Sequence, residues 1–272
     1  IFDLSTIVAT AKLSNGHTKA VIPIWSITTG TGTLSGTIYT PPVKPETAVL
    51  TASYAEPGVS ITKIAQFRLA VTGLSSIVLS QITDEIQLPA TYNFASELSV
   101  KAVYSDKTTQ EVTHSPNLTW TLTSGSGVLT GAVYTPPSRV ETPVFTVNFT
   151  DAGITKTARF SLKVIGLSTL AINKTTDEIQ SCTNYDLAAN LIVTDKLSNG
   201  LTRNVTTDPN TKWTLTSGSG ALNGMVYTTP AMAENAVITA SYTEAGITKV
   251  INFRLRVNAL TSLSLSKVTD EV

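Results

Sequence analysis

One string recurs three times along the chain and decides most of what it can fold into. WSITTGTGTLSGTIYTPP begins at Trp25, WTLTSGSGVLTGAVYTPP at Trp120 and WTLTSGSGALNGMVYTTP at Trp213, at spacings of 95 and 93 residues. Other landmarks keep the step. Asp84, Asp177 and Asp270 within TDE, Lys63, Lys156 and Lys249 within ITK, and Phe67, Phe160 and Phe253 each recur every 93 residues. A period of that size is a domain with its own core, not a solenoid turn.

Within each unit the apolar residues alternate with a period of two. Leu98, Val100, Ala102 and Tyr104 form one such run, Phe145, Val147 and Phe149 a second, and Phe160, Leu162 and Val164 a third. This is the pattern of strands with one buried and one wet face. Asn-Gly, Pro-Pro and Ala-Gly pairs punctuate the runs as turns. No segment carries a helical stripe. About seven short strands in some 93 residues predict an all-β fold of tandem immunoglobulin-like β-sandwiches arranged as an elongated rod. The expected core aromatics are Trp25, Trp120 and Trp213, then Phe67, Phe160 and Phe253, then Tyr54, Phe149 and Tyr242. SGSG at 124–127 and 217–220 reads as a hairpin turn.

The W…SGSG…YTPP…TASY…F.L.V pattern resembles bacterial immunoglobulin-like repeats, the tandem Big-type domains of invasin- and intimin-like adhesins, stalks and surface-layer or filament proteins. That resemblance implies a structural or adhesive role at a bacterial or archaeal cell surface. It carries no binding residue over to this chain.

Composition narrows the function classes. Lys+Arg and Asp+Glu both count 19, so no basic field exists to hold a phosphate backbone, and nucleic acid is not an expected partner. No apolar run is long enough for direct membrane insertion. Only His17, His114 and Cys182 offer bases or a thiol, and none recurs in all three units, so no enzyme is expected. The clustered acids near the unit boundaries, Asp84, Glu85, Asp177, Glu178, Asp270 and Glu271, are weak calcium candidates. A calcium site needs six to eight oxygen ligands, and two acids per joint fall short, so the expected cofactor is none.

The repeat divides the chain into residues 1–72, an immunoglobulin-like domain lacking its first strand, complete domains at 74–165 and 167–258, and an orphan first strand at 260–272. LTSLSLSKVTDEV at 260–272 repeats the strand that opens the other units, with Leu263, Leu265 and Val268 as its apolar face. Two origins fit this phase. The sequence is one window of a longer repeat chain, or the strand is donated head to tail to a neighbouring subunit. The expected function is a semi-rigid rod in an extracellular filament, stalk or surface layer, with copies of itself or further repeats as partners. The alternative is an adhesin contacting host protein or glycan through its loops, with Tyr92 and Phe94 as a small aromatic patch.

Overall fold

The computed structural model describes residues 1–58 and 60–266. The middle unit shows the architecture most completely. Its opening strand Leu74–Leu79 pairs antiparallel with Val100–Tyr104, which pairs with Thr109–Glu111. A second sheet carries four strands in the order Thr83–Gln87, Ile154–Ile165, Val144–Asp151 and Leu118–Ser124. The first pair of that sheet is parallel and the rest are antiparallel. The opening segment therefore serves both sheets, first as a strand of one and then as an edge of the other. A small third sheet joins Tyr92–Asn93, Val133–Thr135 and Val128–Thr130.

The core lies between these layers. Phe145, Val147, Phe160 and Leu162 from the four-stranded sheet meet Ile77, Leu79, Val100 and Ala102 from the other. Alternation in Val144–Asp151 puts Phe145, Val147 and Phe149 inward, and Thr146 and Asn148 are only half-buried. The third unit repeats the plan, with Leu167–Ile172 beside Val193–Leu197, and Thr176–Gln180 parallel to Ile247–Asn258. All-β tandem sandwiches are thus what the sequence folds into.

Three local features depart from the sequence expectation. SGSG is not a hairpin turn, because the strands on either side of it belong to different sheets. The chain turns that corner after a register shift between Leu122 and Ser124, repeated between Leu215 and Ser217 and between Ile27 and Thr29. A bulge bends its strand and re-aims the chain beyond it. Gly125 and Gly218 then take φ of 118° and 136°, which side-chain-bearing residues rarely adopt. Short helical turns, Phe94–Glu97 and Leu187–Asn190, interrupt the strands. The Asn93 and Asp186 carboxamide and carboxylate oxygens accept from Ala95 N and Ala188 N and so cap them. Finally, Tyr92 and Phe94 are buried at 4% and 0% exposure, so the aromatic patch expected for adhesion is interior. Phe94 stacks on Trp120 with ring centres 4.2 Å apart.

The first unit keeps the same plan with fewer strands. Among the described residues Ala9–Lys12 pairs only with Thr18–Val21, and the large sheet has three strands, Ile24–Thr29, Glu46–Ala55 and Thr62–Val71.

Candidate functional site: unit joints and an open sheet edge

Successive units are joined almost without a linker. The strand Thr62–Val71 is followed by Leu74–Leu79, and Ile154–Ile165 is followed by Leu167–Ile172. Each joint turns on a glycine held from both sides by one serine. Ser105 N donates to Gly73 O at 3.0 Å and Gly73 N donates to Ser105 Oγ at 3.3 Å. Ser198 and Gly166 repeat both bonds at 3.0 Å and 3.3 Å. Side chains from the two flanking units close on each glycine. A Cβ at Gly73 would stand 2.9 Å from Pro45 and 3.3 Å from Ile154, and one at Gly166 would stand 3.1 Å from Leu88 and 3.3 Å from Ile247. Ala245 and Ile247 of the third unit pack on the core of the middle unit, and Asn199 Nδ2 reaches Glu85 Oε1 at 3.3 Å.

Every unit also carries a tyrosine–glutamate tie that the sequence reading missed. Tyr39, Tyr134 and Tyr227 are wholly buried, and their hydroxyls donate to Glu46, Glu141 and Glu234. Each glutamate also accepts from the backbone N–H of the corner residue Thr31, Ser126 or Ser219. The tie locks the bulged corner to the strand entering the large sheet. Burial raises the Glu141 and Glu234 carboxyls, but the hydrogen bonds from Tyr134, Tyr227 and the corner serines outweigh it and hold both below the usual range. Burial, then the neighbouring carboxylate, pushes the Tyr227 phenol up to about 12. Gly32, Gly127 and Gly220 follow from the same packing, since a Cβ there would collide with the tyrosine ring or hydroxyl. The constant Tyr-to-Glu step of seven residues was the available signal.

The acids considered for calcium have other partners. Asp84 Oδ2 accepts from Tyr92 OH at 2.8 Å and Gln81 Nε2 at 2.8 Å, and Asp177 Oδ2 accepts from Tyr185 OH at 2.7 Å and pairs with Lys174. Lys174, then Tyr185, hold the Asp177 carboxyl low. Glu85 faces Lys163 at 3.9 Å, and Glu178 faces Arg256 and Asn258 at 3.4 and 3.1 Å. Among the described residues no three His, Cys, Asp or Glu are grouped to share a metal ion. Asp270 and Glu271 lie outside the described residues.

A third recurring contact ties the short hairpin that holds Thr18–Val21, Thr109–Glu111 or Thr202–Asn204 to the turn of the long hairpin Glu46–Ala55/Thr62–Val71 or its counterparts, with different residues in each unit. Lys19 pairs with Glu56, Tyr104 OH donates to Asp151 at 2.9 Å, and Arg203 bridges Asp195 and Glu244. Asp195 is wholly buried and occupies the position of Ala102 in the middle unit and Ala11 in the first.

The first unit exposes the face that the opening strand covers elsewhere. Phe160, Leu162 and Val164 are at most 1% exposed, whereas Phe67, Leu69 and Val71 are half-buried. Val100 and Ala102 are fully buried, whereas Ala9 and Ala11 are half-buried. A groove of about 620 Å³ runs along this edge between Ala9, Ala11, Leu13, Ala52, Tyr54 and Ala65. Such an edge presents unpaired backbone groups to solvent.

The other residues singled out by sequence are spread over the units. Trp25, Trp120 and Trp213 sit half-buried on the strands that pair with the long hairpin, and Trp213 Nε1 donates to Thr206 O at 3.4 Å. Phe253, Phe149 and Tyr242 are buried, and Tyr54 is half-buried. Cys182 is exposed. Leu263 and Leu265 are exposed and belong to no strand, and Val268 lies outside the described residues. Among the described residues no helix is long and apolar enough to cross a membrane.

No family model matches the chain, and no curated protein does. Among solved structures the chain is similar to an I-band fragment of titin at 12% identity and a TM-score of 0.32, covering 89% of this chain and 91% of that one. It is similar to mouse clustered PcdhgC3 EC1-3 at 12% identity and a TM-score of 0.29, covering 79% and 77%. Drosophila N-cadherin EC1-4 aligns at 11% identity and a TM-score of 0.23, covering 86% and 67%. Likenesses this distant carry no argument about what the chain does. The immunoglobulin-like description rests on its own sheets.

Proposed function

We propose that the chain is a structural repeat protein, a semi-rigid rod of bacterial immunoglobulin-like units in an extracellular filament, stalk or surface layer. The observation that carries this reading is the joint. The same serine–glycine pair of bonds, clamped by side chains of both flanking units, occurs at Gly73 and at Gly166. Linkers of one or two residues with such contacts restrict bending, in contrast to Gly/Ser tethers. Repetition of the corner tie in all three units fits a load-bearing use, because no unit is set apart as a binding site. Strand spacing and length give three units laid end to end a span of about 120 Å.

Gold-labelled antibody raised against the folded chain and applied to intact and lysed source cells tests the reading. It predicts labelling of intact cells along fibres, stalks or a surface lattice. Labelling that appears only after lysis would contradict it.

A further inference from the structure

We propose that Asn199 is a deamidation site, and that its loss of ammonia opens the second joint while the first stays closed. The inference rests on the rod reading above and sets a chemical limit on how long one of its joints stays stiff.

Asn199 belongs to the turn that holds the joint. Its neighbour Ser198 makes both bonds to Gly166. Asn199 Nδ2 donates to Glu85 Oε1 of the middle unit at 3.3 Å, and Asn199 Oδ1 accepts from Leu201 N at 3.2 Å. Gly200 follows, with φ of 93°. In an Asn-Gly pair the glycine nitrogen has no Cβ beside it to screen it. That nitrogen attacks the asparagine Cγ, its proton passes through water to the side-chain nitrogen, and the Cγ–Nδ2 bond breaks. Ammonia leaves and a succinimide ring remains. Water opens the ring at either carbonyl, giving aspartate or isoaspartate. The sum takes up water and releases ammonia, with no oxidant or reductant. Gly200 N donates to Leu197 O at 2.9 Å, so the folded turn holds the nucleophile back and the reaction is slow.

Both products act on the joint. Aspartate turns the donor that faces Glu85 into a carboxylate, so an attraction across the joint becomes a repulsion between like charges. Lys163 stands on the other side of Glu85 at 3.9 Å and belongs to the middle unit, so it does not bridge the joint. Isoaspartate routes the main chain through the side-chain carbon and adds a methylene to the backbone directly after Ser198. The first joint has no such pair. Its turn reads Ser105-Asp106-Lys107, with Lys107 at φ of 69° where Gly200 stands. The Asp106 carboxylate accepts from Thr108 N and Oγ1 at 2.9 and 2.6 Å, within its own turn. Asn15-Gly16 and Asn223-Gly224 repeat the dipeptide, but neither belongs to a turn that bonds a joint glycine. They are references for the same chemistry elsewhere on the chain.

Spin-label distances before and after conversion test the inference. In a Cys182→Ser background, labels at Ser26→Cys and Thr121→Cys read the first joint, and labels at Thr121→Cys and Thr214→Cys read the second. All three positions are exposed and each follows the repeated tryptophan. Each full-length chain is measured fresh and after prolonged warm incubation at mildly alkaline pH, with peptide mapping of Asn199, Asn15 and Asn223. The expected result is conversion at Asn199, loss of the narrow distance distribution across the second joint, and no change across the first. Gly200→Lys recreates the Lys107 turn, and a Cβ there would meet nothing within 4 Å. After the same incubation that variant should keep Asn199 and the narrow distribution, while Asn15 and Asn223 still convert. Fresh Asn199→Asp should broaden the second joint, and adding Glu85→Gln should narrow it again. An Asn199 that survives while Asn15 and Asn223 convert would overturn the proposal, as would equal broadening in Gly200→Lys. A distribution already broad in the fresh chain would overturn the rod reading along with it. One that is narrow both before and after conversion would overturn this inference alone and leave the rod standing.

Discussion

Ser105 and Gly73 exchange two hydrogen bonds across the first joint, serine N–H to glycine carbonyl and glycine N–H to serine hydroxyl. Ser198 and Gly166 do the same across the second. One residue, through its backbone N–H and its hydroxyl, thereby holds both polar groups of the joint glycine. Replacing Ser105 and Ser198 with alanine removes one of the two bonds at each joint, a net change of about 0.5–1.5 kcal/mol per joint. The units themselves should melt as before, because neither serine belongs to a core. Distance distributions between spin labels on the first and third units should broaden. An unchanged distribution would show that the apolar contacts alone hold the joint.

The tyrosine–glutamate tie should be expensive to break. Tyr134→Phe leaves the Glu141 carboxylate short of one donor beside a buried ring, which costs ~1–3 kcal/mol of unit stability. Gly127→Ala forces a methyl group against the same tyrosine, with a cost of ~1–3 kcal/mol from overpacking. Chemical denaturation of either variant checks this, and the other two units should keep their transitions.

Asp195 and Arg203 make a sharper test of buried charge. Arg203→Ala leaves a wholly buried carboxylate without its cation and should destabilise the third unit by ~3–5 kcal/mol. The double change Asp195→Ala with Arg203→Gln recreates Ala102 and Gln110 of the middle unit and should cost far less than the single change. A double-mutant cycle of Asp195→Ala, Arg203→Gln and the two together, measured by urea unfolding beside Arg203→Ala, reads the coupling. Equal losses for the single and double variants would contradict the assignment.

Acid and alkali should attack the same tie from opposite sides. Glu141 and Glu234 are held below their ordinary value of 4.5 in the folded chain. Their contribution is present above that value and is lost as pH falls through the lower folded value. Tyr227 is pushed from 10.0 to about 12, so its contribution is present below pH 10.0 and is lost as pH rises toward about 12. Thermal melts across pH should fall off below about 4.5 and above about 10. In Tyr227→Phe the alkaline loss from the third unit should shrink.

The strands were legible in the sequence because a pleated sheet writes its burial as alternation, and Phe145, Val147 and Phe149 show it plainly. The repeat multiplied that signal by three. The helical turn at Phe94–Glu97 was not legible, since four residues carry no period and only the Asn93 cap marks it. The corner at SGSG is hidden because a glycine-rich turn looks the same whether it joins paired strands or two sheets. The joint could be located from the short linker, but its serines could not. Ser105 and Ser198 lie 32 residues along the chain from their glycines, and only the fold brings each pair together. Asp84 and Asp177 accept from the buried Tyr92 and Tyr185, partnerships hidden in the sequence because each pair stands eight positions apart.

The central claim is that three units form one stiff body, and small-angle X-ray scattering from the dilute chain tests it most directly. The account predicts a maximum dimension of about 120 Å, from three sandwiches laid end to end, and the scattering profile of a thin rod. A maximum dimension well below that, or a profile requiring a broad ensemble of bent shapes, would contradict it.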